Sequence, residues 1–334
     1  MGLGPRFFLG VDGGGTKTRF VVIDRDGNAL AAHEAQSAYH LQVGIEGLRE
    51  VLAEGLAAVF KRAGIGAHDV AHAFFGIPAY GEDSTAQPRL DALPEELLGH
   101  ARYACGNDMV CAWAGSLAVE DGINIVAGTG SGAYGERRGR TARAGGWGEV
   151  FGDEGSAYWI AVQGLNAFTR MSDGRLPRGP LYGFFRSSLG LSEDLDLGAK
   201  IMNAQTRSEV AAMAQLVTGA AREGDPVATR ILGDAARELA AVIEAVRHAL
   251  EFEPGEPIPF SYSGGVFEAG PLILRPLQRQ LAEPSRKYEL RQPKLAPHLG
   301  AAIYAARLAG QPLSGAAIER LAHSSSPASH RSPD

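Results

Sequence analysis

The stretch that most restricts how this chain can fold runs from Phe8 to Asp24 and reads Phe-Leu-Gly-Val-Asp-Gly-Gly-Gly-Thr-Lys-Thr-Arg-Phe-Val-Val-Ile-Asp. Two apolar runs around a glycine cluster predict a buried strand, a tight turn and a second strand that closes at Asp26-Gly27-Asn28. Gly13, Gly14 and Gly15 leave backbone N–H groups uncovered, and such a concavity suits phosphate oxygens. Asp12, at the end of the first strand, is placed to hold a hydrated Mg2+, which prefers carboxylates and water. Thr16, Lys17 and Thr18 add hydroxyls and a point charge. The plainer reading is a hairpin whose glycines only satisfy turn geometry.

Two better-known phosphate loops are excluded. A Walker A loop has Gly immediately before Lys, whereas Thr16 precedes Lys17. A dinucleotide-binding fingerprint has its glycines opening a helix, and here a β-rich apolar run follows.

A chain of 334 residues holds two domains or one large one. The net charge of -6 argues against a general nucleic-acid binder, which needs a basic surface. Cys105 and Cys111 form neither a metal-ligand pattern nor a disulfide framework. No run approaches ~18 apolar residues and the N-terminus lacks the features of a signal peptide, so no membrane association and a cytoplasmic location are expected.

Downstream, a third strand is predicted over Leu30–Ala35, and after the segment Ser37–Gly44 a helix buries Ile45, Leu48, Val51, Leu52, Leu56, Val59 and Phe60, with Gly64 as its C-cap. Val70–Ile77 reads as a buried strand, Pro88–Leu98 as a helix, and Ala101–Cys105 as a short strand leading into Gly106-Asn107-Asp108. A second strand–turn–strand layout begins at Asn124, with Gly128-Thr129-Gly130-Ser131 as its turn. One such unit per domain could clasp a polyphosphate between two lobes. Gly145-Gly146-Trp147-Gly148 and Gly152-Asp153-Glu154-Gly155-Ser156 precede a helix over Ala157–Met171. Asp225 and Pro226 open a long helix, Pro259–Ser263 is a late strand ending in Gly264-Gly265, and a further helix starts near Pro297. The Ser/Pro-rich end is expected to be disordered.

In this order and spacing, the motifs Asp12–Thr18, Gly128–Ser131, Gly145–Gly148, Gly152–Ser156 and Gly264–Val266 resemble those of the N-acetylglucosamine kinases. These are BadF/BadG-type ATPases of the actin–hexokinase–heat-shock superfamily. The resemblance spans roughly residues 7–310. It implies an α/β fold of two ribonuclease-H-like lobes with an ATP and sugar cleft. The lobes would be residues 1–115 and 116–297, with a helix over 298–322 packing back on the first and a disordered tail over 323–334. It further implies an ATP-dependent kinase acting on the 6-hydroxyl of an amino sugar, commonly as a homodimer. By the same resemblance Gly13, Gly14, Gly15, Thr16 and Lys17, with Gly128, Thr129, Gly130 and Ser131, contact phosphates, and Gly264 and Gly265 border the adenosine. Asp12 holds Mg2+ through water, Asp108 is the catalytic base, and Asp153 binds the hexose ring. Gly128, Thr129, Gly146, Trp147 and His40 fall at sugar-contacting positions.

The chemistry agrees. Phosphoryl transfer needs positioning, charge neutralisation and a base near the hydroxyl, and its loose transition state asks little of that base's strength. Plainer readings stand beside these. Asp108 suits a helix N-cap, as does Asp153 ahead of Ser156; Trp147 suits core packing, and His40 a partly exposed loop. Two asparagines that the family often places near the acetamido group are replaced here, by Gly132 and in the segment Tyr39-His40. Glucosamine therefore stands beside N-acetylglucosamine as an acceptor, with Asp153 or Glu154 able to neutralise its ammonium. Two other readings are an ATPase activator of radical dehydratases and a non-catalytic sugar-sensing actin relative. The first needs well-separated cluster cysteines, and the second has no use for Asp108.

Overall fold

In a computed structural model, which describes residues 6–202 and 206–324, the opening hairpin forms the centre of a five-stranded sheet. The strands are β1 (Phe7–Gly13), β2 (Lys17–Ile23) and β3 (Ala29–Gln36), then β4 (Val70–Ile77) and β5 (Tyr103–Asn107), in the spatial order β3-β2-β1-β4-β5. β1, β2 and β3 are antiparallel neighbours, whereas β4 and β5 run parallel to β1. Helix α1 (His40–Ala63) buries Leu48, Leu52, Leu56 and Val59, as its periodicity predicts, and ends at Gly64 in the left-handed conformation. Helix α2 (Gln87–Leu98) precedes β5, and α3 (Asp108–Leu117) follows it directly. β5 starts later than predicted, at Tyr103: ahead of it Arg102 Nε donates to Val70 O and His100 Nε2 lies 2.9 Å from Ala67 O, while Arg102 O accepts from Ala73 N of β4 as the ladder begins.

A second sheet repeats this topology. Its strands are β6 (Gly122–Ala127), β7 (Ser131–Arg137) and β8 (Arg140–Gly145), then β9 (Pro257–Ser263) and β10 (Lys287–Leu290), ordered β10-β9-β6-β7-β8. β6, β7 and β8 are antiparallel, and β9 and β10 run parallel to β6. The similar layout of the two glycine turns is thus part of a whole repeated sheet, and the α/β class holds. Between β8 and β9 lie α4 (Ala157–Ser172), α5 (Pro180–Leu189), α6 (Asp196–Met202), α7 (Arg207–Ala212), α8 (Ala214–Arg222) and α9 (Pro226–Ala249). A 3₁₀ turn (Gly265–Ala269) and α10 (Pro271–Leu281) join β9 to β10. Asp225 caps α9 through Val227 N and Ala228 N while its other oxygen accepts from Leu181 N, so one buried carboxylate joins two helices.

The chain then returns to the first sheet through α11 (Pro297–Leu308) and α12 (Gly315–Ser324). The described residues of Met1–Glu120 and Arg291–Asp334 make one compact unit, and Asp121–Leu290 the other. Three expectations are corrected. Residues 298–322 form two helices, separated by a segment that holds Gly310 at φ 70° and Pro312. The units divide at 120/121 and 290/291, because Lys294 N and Leu295 N bond Ser116 O and Gly115 O and tie the returning chain to α3. His323 and Ser324 belong to α12, whereas the rest of the expected disordered tail lies outside the described residues.

Close helix seating depends on small residues. A Cβ on Gly10 of β1 would stand 2.5 Å from His298 O of α11, and one on Gly300 would stand 2.6 Å from Gly115 Cα of α3. Tyr304 of α11 packs edge-on against Phe74 and Trp113, with the Arg307 guanidinium over the Tyr304 and Trp113 rings. Among the described residues no helix is long and apolar enough to cross a membrane.

Candidate functional site

In the first unit, the register sets Asp12 of β1 beside Gly76 of β4. A Cβ on Gly76 would stand 3.4 Å from Asp108 Cα, so the start of α3 rests on that glycine and Asp108 comes near Asp12. Burial pushes the Asp12 carboxyl up to about 8, and the negative Asp108 adds to the rise; Arg19 and the Cys111 thiol oppose it. Asp108 is not the helix cap. Asn107 takes that role, accepting from Met109 N at 3.1 Å while its amide donates to Tyr80 O and Glu82 Oε1, both at 3.3 Å. The sequence signal for a cap was real but belonged to the neighbouring residue.

The glycines of the first turn divide by physical need. Gly13 is close-packed: a Cβ there would stand 2.8 Å from both Gly76 O and Pro78 Cδ. Gly15 has open space around its Cβ position and no positive φ, so neither packing nor turn geometry requires glycine there. Close approach of a ligand to the backbone is the remaining physical reason. Gly14, Thr16 and Lys17 complete the turn, but Lys17 Nζ lies 3.3 Å from Glu34 in a half-exposed ion pair. Thr18 is committed to the sheet, its hydroxyl donating to Gln36 O.

His40 departs from the expected part-exposed loop position. It is the first residue of α1, only 5% exposed, and neither ring nitrogen has a hydrogen-bond partner. The non-helical Gly44, φ 73°, separates this first turn from the rest of the helix.

In the second unit three separate sequence motifs converge. Gly128 N donates to Gly130 O within the turn Gly128–Ser131, and Gly128 O accepts from Ala157 N at the start of α4. Gly264, at φ 102°, lies against the same turn, where a Cβ would stand 2.5 Å from the Ala127 carbonyl carbon and 2.8 Å from Gly128 N. Gly128, by contrast, has open space around its Cβ position, and a Cβ on Gly265 would meet only Glu268 Oε1 at 3.9 Å, an ordinary contact. On Gly130 a Cβ would stand 2.7 Å from Asp153 Oδ2. Thr129 is half-buried between them, and Ser131 Oγ donates to Glu154 O.

Asp153 is 3% exposed and holds a left-handed backbone, φ 54°. It does not cap α4, a role Ser156 performs by accepting from Trp159 N. Asp153 instead pairs with Arg207 at the start of α7, which also lies 3.1 Å from Glu149. Burial pushes the Asp153 carboxyl up, and Arg207 and the Ser131 and Gly148 backbone amides oppose that rise. Gly146, φ 74°, donates its N–H to Ser131 O and anchors the next loop. Trp147 on that loop is 74% exposed, which removes the core-packing reading, and Val150 and Phe151 are exposed with it. Arg207 and Glu149 were missed by sequence reading. Arg207 is 54 positions from Asp153, and an arginine opening a helix carries no signal of its partner.

The arrangement offers a carboxylate pair in one unit and a buried, arginine-bound carboxylate beside a glycine turn in the other. Comparison with known proteins gives these features a family. A family model described as the BadF/BadG/BcrA/BcrD ATPase family matches residues 9–305. The chain is 29% identical over 314 residues to the N-acetyl-D-glucosamine kinase of Dictyostelium discoideum, covering 91% of this chain and 98% of that kinase. It is 30% identical over 264 residues to an N-acetylmuramic acid/N-acetylglucosamine kinase of Clostridium acetobutylicum, covering 78% and 85%. A solved structure from Chromobacterium violaceum, whose protein carries a provisional N-acetylglucosamine kinase name, aligns at a TM-score of 0.71 with 25% identity over 90% of this chain and 99% of that one.

Proposed function

The chain belongs to the BadF/BadG/BcrA/BcrD ATPase family, and on that premise we propose that it is an ATP-dependent kinase of N-acetylglucosamine or glucosamine, acting at the 6-hydroxyl. The observation that carries the reading is the approach of Asp12 and Asp108 over Gly76. Two carboxylates that raise each other's energy are poised for a cation and a proton. Their surroundings fit Mg2+, which binds through one or two carboxylates and retains water, so no larger ligand cluster is needed. Among the described residues no group of three or more His, Cys, Asp or Glu is arranged to hold a metal. Asp12 would hold the ion, which when bound would neutralise charge on the ATP phosphates.

Asp108 takes the proton of the sugar hydroxyl as that oxygen attacks the terminal phosphorus of ATP, the bridging P–O bond breaks and ADP leaves. The turns Gly14–Lys17 and Gly128–Ser131 bind phosphate oxygens through those amides not already engaged within the protein, as Gly128 N and Ser131 N are, while Gly264 and Gly265 border the adenosine. Asp153 accepts hydrogen bonds from sugar hydroxyls, and His40, with two unpartnered ring nitrogens, supplies a further polar contact. Trp147 offers an exposed ring face and Gly146 a close backbone. Cytoplasm, where ATP is abundant, is the compartment this activity requires, and a homodimer is the expected assembly.

The activator reading lacks support from the thiols. Burial pushes Cys105 up to about 12, and Cys111 is buried with its thiol donating to Val11 O, so neither presents a thiolate for a cluster. The test is coupled ATP turnover with N-acetylglucosamine, glucosamine, glucose and N-acetylmannosamine. An amino sugar should stimulate turnover and yield a 6-phosphate; no stimulation by any of the four would overturn the reading.

A further inference from the structure

Arg207 has no part in the roles assigned so far, yet its guanidinium bridges two carboxylates of the second unit. Nη2 hydrogen-bonds Asp153 Oδ2, and Nε lies 3.1 Å from Glu149 Oε2 as an ion pair without hydrogen-bond geometry. It is delivered from a fixed point, because Thr206 and Glu209 form a capping box that defines the start of α7. At Gly130 the turn packs directly on this pair: a Cβ there would stand 2.7 Å from Asp153 Oδ2 and 2.9 Å from Arg207 Nη2. A planar guanidinium can hold a carboxylate in one orientation, which a point charge cannot do.

We propose that Arg207 is a positioning residue for the acceptor sugar: clamped between Glu149 and Asp153, it fixes the Asp153 carboxylate in the orientation that receives the sugar's hydroxyls. The inference rests on the proposed role of Asp153. A carboxylate has about four lone-pair positions. Arg207 and the Ser131 and Gly148 amides occupy three, which leaves one for a hydroxyl. The charged groups facing Asp153 are Arg207 from α7 and Glu149 from its own loop. Desolvation and Glu149 favour the neutral acid, while Arg207 and the two amides favour the carboxylate. Loss of Arg207 would therefore cost both orientation and ionisation.

The test compares Arg207→Met, Arg207→Lys and Asp153→Asn in steady-state kinetics across pH, with ATP KM as the internal control. Arg207→Met should raise the acceptor KM on the order of tenfold at neutral pH. It should leave the ATP KM near wild type and move the acidic limb of the acceptor kcat/KM profile to higher pH. Arg207→Lys keeps the charge, so it should restore the acidic limb but only part of the KM; it also carries the test if the Met variant is unstable. Unchanged acceptor KM and acidic limb in both Arg207 variants, with Asp153→Asn impaired, would overturn the positioning role and leave Asp153 in place. Equal losses toward ATP and acceptor would overturn it too, as the mark of a merely structural residue. A wild-type acceptor KM in Asp153→Asn would instead remove the sugar-binding role of Asp153, and this inference with it.

Discussion

The two sheets of this protein share one topology and differ in what hangs from it. Where β1 closes on Asp12 and Gly13, β6 closes on Val126 and Ala127, so only the first unit has an acid at that strand end. α3 continues directly from β5 and carries Asp108 in its first turn, whereas the helix that follows β10 packs against the first sheet. The second unit instead places six helices, among the described residues, between β8 and β9, and the pair of Asp153 with Arg207 arises within that insertion. A repeated sheet therefore fixes where glycine turns can stand, and the connections decide what chemistry each copy offers.

The contrast can be broken most forcefully at Asp108. Asp108→Asn keeps the side chain's shape but removes the base, so kcat should fall roughly 10²- to 10⁴-fold with sugar and ATP binding retained. Near-normal turnover would mean that the first unit does not hold the base. Next in size is Gly10→Ala, which should destabilise the protein by about 1–3 kcal/mol in denaturant unfolding, because α11 must lift from β1. An unchanged midpoint would show that the helix adjusts freely.

A third, pH-dependent effect falls at His298, where α11 begins. Burial pushes its imidazole down to about 4, Arg19 adding to the fall and Glu34 opposing it. Above pH ~6.5, the ordinary histidine value, both folded and unfolded forms are neutral and the stability is complete. As pH drops below that, the unfolded chain takes up a proton that the folded one refuses until near pH 4, and about 2 kcal/mol should be lost by pH 5. His298→Gln should flatten that part of the stability–pH curve; an identical slope in the variant would place the acid sensitivity elsewhere. The smallest effect sharpens the likeness of the two turns. Gly15→Ala and Gly128→Ala both add a methyl in open space, so each should leave the melting temperature unchanged while raising the ATP KM severalfold. A normal ATP KM in either variant would exclude that turn from phosphate binding.

Much of this architecture could be read from residue pattern. The 3.6-residue periodicity of α1 and α9 and the alternating hairpins gave helices and central strands, because those elements bury one continuous apolar face. β8 and β10 were not legible: Arg-Thr-Ala-Arg-Ala-Gly and Lys-Tyr-Glu-Leu are short, largely exposed edge strands, β8 held by a tight hairpin to β7 and β10 by the more distant β9. At the candidate site, glycine clusters marked the turns, since backbone demands are local. Arg207 facing Asp153, and the burial of His40, are tertiary facts with no local signature. The caps at Asn107 and Ser156 show the opposite error, in which a correct local signal was attached to a neighbouring acid.

The seating of α11 on Gly10 of β1 and, through its own Gly300, on Gly115 of α3 has a consequence for biosynthesis. A ribosome releases β1, β4 and α3 early, but the helix that covers them leaves the exit tunnel only after all of Asp121–Leu290 has been made. Until then the nascent N-terminal segment carries an open apolar groove, a surface on which holding chaperones can act. The second unit, contiguous in the chain, is free to mature first.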